Sequence, residues 1–357
     1  LSEDRLNKFL KAEVSFYAAQ EPNSISVKQV LDAGSPEKAA VLTHKELPIR
    51  FSQRILQIES LGNWKENPEL CEVYDLYTRT FHDLRLTELD LARLDSFTEV
   101  IQRLKGRMRT VIPHLATAMR TLQAEGRSEA MLGEWMDDFL LSRIGTEMLT
   151  SQYIACVEPK NGRRGIVDNR CDPAAICMQA ARHAKKLCRK HFLLQHDVEI
   201  LVESSEPGAS GRRIRFPYVP QYLFYIMVEL LKNSARATVE VCGGNPQQIQ
   251  ERPIVITVSA DPSEVAIRVQ DVAGGIPFGV EDRVWSYMYS TASKNEAGTA
   301  FSQQGTPLAG YGVGLPLSRL YARYLGGSLH VHSLPGVGTC AYLYLKRLET
   351  EAREGLP

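Results

Sequence analysis

Apolar residues in the first part of the chain recur with a helical period. From Ser128 onward Met131, Leu132, Trp135, Met136, Phe139, Ile144 and Met148 fall on one stripe, which predicts a long amphipathic helix. Ser26 with Gln29 resembles a capping box before Val27, Val30 and Leu31, with Gly34 as the stop. Ser35-Pro36 and Asn67-Pro68 each place a cap residue ahead of a proline at the first helical position. Pro48 and Pro113 sit inside helical patterns and are expected to kink them. Long helices with short connections predict an antiparallel bundle.

The texture changes after the polar, turn-rich stretch 157–171, where the boundary between two domains, 1–160 and 161–357, is expected. Asp172-Pro173 opens a helix to about Phe192. Strand-like runs follow at 198–203, 213–216, 254–259, 265–270, 328–333 and 339–346, with helices near 219–240 and 313–325. This order predicts helices on one face of a mixed sheet. Residues 290–311 hold few large apolar groups and read as a functional lid or a disordered segment.

Composition narrows the classes. The chain has 357 residues, 44% hydrophobic and 24% charged, and its 42 basic side chains balance 42 acidic ones. That balance argues against a general nucleic-acid or membrane-surface binder, while leaving room for local patches. No apolar run approaches the ~18–20 residues of a membrane span. The seven cysteines are scattered and without a CxxC pair, which reads as reduced thiols. The chain starts at Leu1, which suggests a processed N-terminus.

Four short patches carry the chemistry: Glu229-Leu230-Leu231-Lys232-Asn233, Asp271-Val272-Ala273-Gly274-Gly275, Gly310-Tyr311-Gly312-Val313-Gly314 and Gly336-Val337-Gly338-Thr339. Each alone is weak, since glycine also serves turns and helix ends. Together, in this order, they fit one ATP pocket. Glu229 and Asn233 lie four apart, on one helix face. Phosphoryl transfer needs Mg²⁺ on the phosphates and a group that orients or deprotonates the nucleophile. Asn233 suits the metal through its amide oxygen, and Glu229 suits the base. Arg236 is on the same stripe and within reach of phosphate. The competing reading makes Glu229 and Lys232 solvated helix charges and Asn233 incidental.

Asp271 ends a strand and can accept a hydrogen bond from an adenine amino group, with Gly275 letting backbone approach the ring; the alternative is a simple strand-to-turn Asp. Gly310, Gly312 and Gly314 precede a helix, where free amides favour phosphate; the alternative is a hinge. Gly336–Thr339 reads first as a hairpin turn, with Thr339 reaching the adenine side as a secondary suggestion.

These patches resemble the N, G1, G2 and G3 boxes of the GHKL ATPase superfamily, which includes gyrase, MutL and histidine kinases. The stretches 44–50, 139–145, 216–220, 287–292 and 307–322 further resemble the mitochondrial pyruvate dehydrogenase kinases, with the branched-chain 2-oxoacid dehydrogenase kinase close behind. The resemblance covers nearly the whole chain. It implies an α + α/β protein: an N-terminal four-helix bundle, then a GHKL (Bergerat) α/β sandwich that binds ATP. It implies an ATP-dependent serine kinase that inactivates the E1α subunit of the pyruvate dehydrogenase complex, with Mg²⁺ and conceivably K⁺ as cofactors. Docking on the lipoyl domain of E2, a homodimer and a mitochondrial matrix address are implied as well.

By position, the resemblance makes Glu229 the base, Asn233 the Mg²⁺ ligand and Asp271 the adenine anchor. It sets Ser290 and Thr291 near ATP, and makes the run Gly310, Tyr311, Gly312, Val313, Gly314 the lid turn over the phosphates.

Three positions depart from the family pattern. Tyr225 replaces a histidine four residues before Glu229. Ala273 replaces the first glycine of the G1 triplet, which predicts restricted φ and a crowded nucleotide. Met108 replaces a histidine beside Arg107 in the regulatory helix. Two other classes stay in view. One is a histidine kinase, because His44-Lys45-Glu46-Leu47-Pro48 superficially looks like a phosphoacceptor box. The other is a lipoyl-binding pseudokinase, motivated by Tyr225 and Ala273.

Overall fold

The computed structural model describes residues 3–23, 27–159, 165–205, 213–280, 282–287, 289 and 312–347. The chain divides into two compact units, Leu1–Ile166 and Val167–Pro357.

The first unit is helical. Its elements are α1 (Glu3–Ala18), α2 (Val27–Asp32), α3 (Pro36–Glu59), α4 (Pro68–Leu86), α5 (Asp95–Arg107), α6 (Val111–Ala124) and α7 (Glu129–Val157). Helices α3, α4, α5–α6 and α7 form the bundle, and α1 packs on α3. The caps anticipated at Ser35 and Asn67 are in place, while Ser26 of the expected capping box lies outside the described residues. Ser35 Oγ accepts from the Lys38 N–H at 3.3 Å, and Asn67 Oδ1 accepts from the Leu70 N–H at 3.0 Å. Each satisfies an N–H that the helix cannot.

The two prolines behave differently. Pro113 lies three positions into α6, and a 3₁₀ turn at Met108–Thr110 separates α5 from α6 just ahead of it. Its ring crowds the carbonyl four residues back, so the break falls upstream. Pro48 does not interrupt α3. The buried neighbours Leu47, Ile49 and Phe51 hold that turn in the core.

The Arg107–Met108 pair sits at the α5–α6 junction. Arg107 pairs with Asp83 at 2.7 Å, and Met108 is buried with its carbonyl accepting from Arg143 at 2.9 Å. His44 is half-buried, edge-on to Phe97 at 5.7 Å. Burial lowers its pKa, a Thr87 backbone hydrogen bond opposes that, and Arg85 lowers it further. Glu46 is buried, with the Arg50 Nε 3.7 Å from Oε2. A histidine tucked against a bundle core is poorly placed to receive phosphate.

The second unit is an α/β layer. Its strands are β1 (Asp168–Cys171), β2 (Ile200–Ser205), β3 (Phe216–Tyr218), β4 (Ile254–Ala260), β5 (Glu264–Asp271), β6 (Ser328–Leu334) and β7 (Gly338–Lys346). Its helices are α8 (Pro173–Phe192), α9 (Pro220–Val241), α10 (Pro246–Gln250) and α11 (Gly314–Tyr324). Five strands form a sheet ordered β2-β4-β5-β7-β6, in which only β2–β4 is parallel. Strands β1 and β3 make a separate antiparallel pair.

Alternation explains the layer. Ile254, Ile256 and Val258 of β4, Val265, Ile267 and Val269 of β5, and Ala341, Leu343 and Leu345 of β7 are buried, while their neighbours are not. A two-residue period gives the sheet one apolar face, and α8, α9 and α11 pack against the sheet. Strand β1 and helix α10 were not anticipated, being short and polar. Strands β2 and β3 start two and three residues later than the apolar runs suggested, within the ordinary uncertainty of element ends. None of the seven cysteines is in a disulfide, and no helix among the described residues is long and apolar enough to cross a membrane.

Asn67 is itself 4% exposed, so its cap is sheltered from competing water. Replacing it by Ala is expected to cost roughly 1–2 kcal/mol. Urea unfolding followed by circular dichroism checks this: the midpoint drops with an unchanged slope, and an unchanged midpoint contradicts the cap's role.

Candidate active site

Helix α9 supplies the first wall. Glu229 is 5% exposed and Lys232 3%, and the Lys232 Nζ lies 2.9 Å from Glu229 Oε1 and 3.1 Å from Oε2. These are not solvated helix charges. A buried carboxylate without a counter-charge costs several kcal/mol, and the Lys232 ammonium supplies that counter-charge. One turn on, Asn233 is exposed on the cleft, where its amide is open to a ligand. Arg236 also lines the cleft, with its Nε on Glu240 Oε1 at 2.6 Å.

Strand β5 supplies the second wall. Val265, Ile267 and Val269 point inward, and the next inward position is Asp271. Period-two geometry therefore delivers a carboxylate, 6% exposed, to the end of an apolar row. Its Oδ1 accepts from the backbone N–H of Ala273 and of Thr339, both at 3.2 Å, and its Oδ2 accepts from Ser234 Oγ at 2.8 Å. Burial pushes the Asp271 carboxyl up, and the hydrogen bonds from Ser234, Ala273 and Thr339 oppose that. A carboxylate has about four acceptor directions. Three are used, which leaves one on Oδ2 for an incoming donor.

The glycine turn after β5 is fitted to the β6–β7 hairpin. Gly275 has φ 72°, and a Cβ there would lie 2.3 Å from the Leu334 carbonyl oxygen. The Gly336 N–H donates to the Gly274 carbonyl at 2.7 Å. Ala273 has no such demand: its φ is not in the left-handed region, its methyl is buried, and the cleft lining passes it by. The expected crowding of a nucleotide by Ala273 is therefore corrected. The side chain turns into the protein, so glycine is not required at that position.

Gly314 opens α11 directly against α9. A Cβ at Gly314 would stand 2.3 Å from Glu229 Oε2, so a larger residue there would have to push the carboxylate aside. Gly312 (φ 79°) and Gly314 line the cleft, while Val313 is buried and does not. Ser290, Thr291, Gly310 and Tyr311 lie outside the described residues. Tyr225 packs on Tyr321 of α11, ring centroids 5.0 Å apart.

The cleft so formed holds about 460 Å³ and brings together Glu229, Asn233, Arg236, Asp271, Gly275, Gly312, Gly314 and Thr339. Apolar groups such as Val269, Ile276, Val280 and Val284 complete it, an arrangement that suits a flat ring with a polar tail. Sequence reasoning missed Ser234, the helix residue that fixes Asp271, and Lys232 as partner of Glu229. It also missed Tyr289, which lines the cleft with the Arg283 guanidinium 4.8 Å from its ring centroid. Only the polarity of Ser234 and Lys232 on an otherwise apolar helix face could have signalled the first two. No cluster of three or more His, Cys, Asp or Glu able to hold a metal occurs among the described residues.

Comparisons with known proteins agree with this geometry. Residues 24–176 match the family model for mitochondrial branched-chain alpha-ketoacid dehydrogenase kinase, and residues 218–349 match that for histidine kinase-, DNA gyrase B-, and HSP90-like ATPase. The mitochondrial [pyruvate dehydrogenase (acetyl-transferring)] kinase of Drosophila melanogaster is 33% identical, over 96% of this chain and 86% of the relative. Human isozyme 3 is 32% identical over 97% of this chain and 88% of the relative. Mouse isozyme 4 is 33% identical over 97% and 86%. The chain belongs to the mitochondrial pyruvate dehydrogenase kinase and branched-chain α-ketoacid dehydrogenase kinase family.

Asp271→Asn is expected to weaken ATP binding by about 1–3 kcal/mol, because an amide cannot accept at every atom the carboxylate does. The wild-type pH dependence has two opposite signs. The folded pKa of Asp271 lies above the unfolded one, so protonation favours the fold, and stability rises as pH falls through the folded pKa toward the ordinary carboxylate range. ATP affinity falls over the same window, since the free acceptor on Oδ2 is lost. Calorimetric titration across acid pH measures the second effect; an affinity that ignores both pH and Asp271→Asn removes the acceptor role.

Proposed function

We propose that this chain is a mitochondrial protein-serine kinase that moves the γ-phosphate of ATP onto the E1α subunit of the pyruvate dehydrogenase complex and thereby switches it off. The observation that carries this reading is the buried Glu229, paired with Lys232, one helical turn before the cleft-exposed Asn233, in a chain whose relatives are named pyruvate dehydrogenase kinases.

The residues divide the work. Glu229 accepts the proton of the serine hydroxyl as its oxygen approaches the phosphorus. Lys232 supplies the counter-charge beside Glu229 in this buried site. Asp271 accepts a hydrogen bond from the adenine amino group on its free Oδ2 direction. Arg236 lies along the cleft on the same helix as a cation for phosphate. The first turn of α11, begun by Gly314, offers backbone N–H groups without helical partners, a setting that favours anions.

Mg²⁺ fits this donor set. One exposed amide oxygen at Asn233, with no cluster of three or more carboxylates among the described residues, suits an ion that keeps several waters and is held mainly by substrate phosphates. When bound it would neutralise charge on the phosphates.

The wider reading rests on family membership: docking on the E2 lipoyl domain, a homodimer and residence in the matrix. K⁺ remains an additional ion on the same ground. A branched-chain substrate is the second reading, favoured by the description of the family model that matches residues 24–176.

The test is transfer of labelled γ-phosphate to purified pyruvate E1 and branched-chain E1 in parallel. Acid-stable label on the pyruvate enzyme is expected, falling about 10²–10⁴-fold in Glu229→Gln. Label on the branched-chain enzyme alone moves the substrate and keeps the mechanism. Undiminished transfer by Glu229→Gln sinks the base, and acid-labile label sinks the serine. Asn233→Ala is expected to lose Mg·ATP-dependent transfer with its circular dichroism spectrum intact; wild-type turnover there refutes the metal role.

A further inference from the structure

Helix α8 holds no acidic residue and five Lys or Arg, in a chain whose 42 basic and 42 acidic side chains balance as a whole. Its apolar side, from Ile176 and Cys177 through Ala180, Ala181 and Ala184 to Cys188, is buried, and the helix packs on α9, β2 and β4. The opposite side is exposed and ordered along a single stripe. Met178, Arg182, Lys186, Arg189 and Leu193 follow one another at three- and four-residue steps, about 22 Å from end to end. Lys190 flanks them. Of these cations only Arg189 has a carboxylate partner among the described residues, Asp197 at 3.5 Å and well exposed.

The two ends of the stripe are apolar. Met178 is 45% exposed, and Leu193 is 87% exposed. Leu193 also ends α8 in the left-handed region, φ 52°, a conformation that glycine or asparagine ordinarily takes and that a leucine enters only under strain. Packing does not explain the choice, because most of this side chain meets solvent. Strain held at an exposed position points to a use for the side chain outside the fold. Beside it lies a surface cleft of about 470 Å³, with Phe192, Leu194, Val239 and Ile249 on its apolar side and Asp197 and Glu240 in its lining.

We propose that the outer face of α8 is a docking surface for an anionic lipid bilayer, with Arg182, Lys186, Arg189 and Lys190 on the headgroup phosphates and Leu193 inserted at the acyl boundary. Basic residues on an amphipathic helix supply attraction, and an exposed apolar side chain among them supplies insertion. An acidic polypeptide would also meet the cations. Past Leu193, however, it would run onto Asp197 and Glu240, and it would gain nothing from a protruding leucine. The surface is independent of the nucleotide cleft residues and of the kinase reading.

The test uses the whole chain in flotation with vesicles of phosphatidylcholine alone or with added phosphatidylglycerol. Binding is expected only to the anionic vesicles, weakening as salt is raised. Lys186→Glu with Lys190→Glu is expected to reduce it at least about thirtyfold, at roughly fivefold per charge removed, with phosphotransfer to E1 unchanged. Leu193→Gly separates docking from folding. It relieves the left-handed strain, so the thermal midpoint holds or rises, yet vesicle binding falls several-fold. Wild-type protein that ignores anionic vesicles, or binding indifferent to the charge reversals, overturns the proposal. So does tight binding to soluble polyglutamate combined with vesicle binding untouched by Leu193→Gly, which would assign the face to an acidic protein.

Discussion

The second unit depends on one buried carboxylate. Asp271 accepts from Ser234 on α9, from Ala273 in its own turn and from Thr339 on β7. Three segments far apart in the chain are thus fixed by one side chain at the place where the sheet's apolar row runs out. Each hydrogen bond to a charged group contributes about 1.5–3 kcal/mol against a large desolvation cost. The sum is less important than the direction. A carboxylate so anchored cannot turn away from the cleft, and its remaining acceptor direction is set by the three it has used.

The second constraint is the approach of α11 to α9. Glu229 is closed in by Lys232 on its own helix and by Gly314 at the start of the next one. Any larger residue at Gly314 would have to displace the carboxylate or the helix. The site thereby couples charge and packing: the Lys232 ammonium pairs with Glu229, and the missing Cβ at Gly314 keeps room for it. Tyr225, four residues earlier, packs against Tyr321 of α11, so this position contributes to the same helix pair. Ala273 contributes nothing adverse, since its methyl faces the protein interior.

Much of the fold was legible because it rests on local rules. Ser35-Pro36, Asn67-Pro68 and Asp172-Pro173 marked three helix starts, and each cap residue accepts the hydrogen bond it should. Alternation located β4, β5 and β7 within a residue or so. What escaped was short or depended on a distant partner. Strand β1 is three polar residues and a cysteine that become a strand only by pairing with β3. Pro48 stays inside a continuous helix because its neighbours are buried.

The sequence by itself determined the order of elements, the glycine patches and the identity of Glu229, Asn233 and Asp271 as candidates, because residue type and spacing along one helix or strand suffice for that. Only the tertiary structure decided which groups act together. That Lys232 is a buried counter-ion, that Ser234 and the Thr339 amide hold Asp271, and that Ala273 is harmless all depend on burial and on contacts between segments tens of residues apart. Solvent exposure, and with it the strength of every charge interaction, is a property of the packed chain, and no spacing rule contains it.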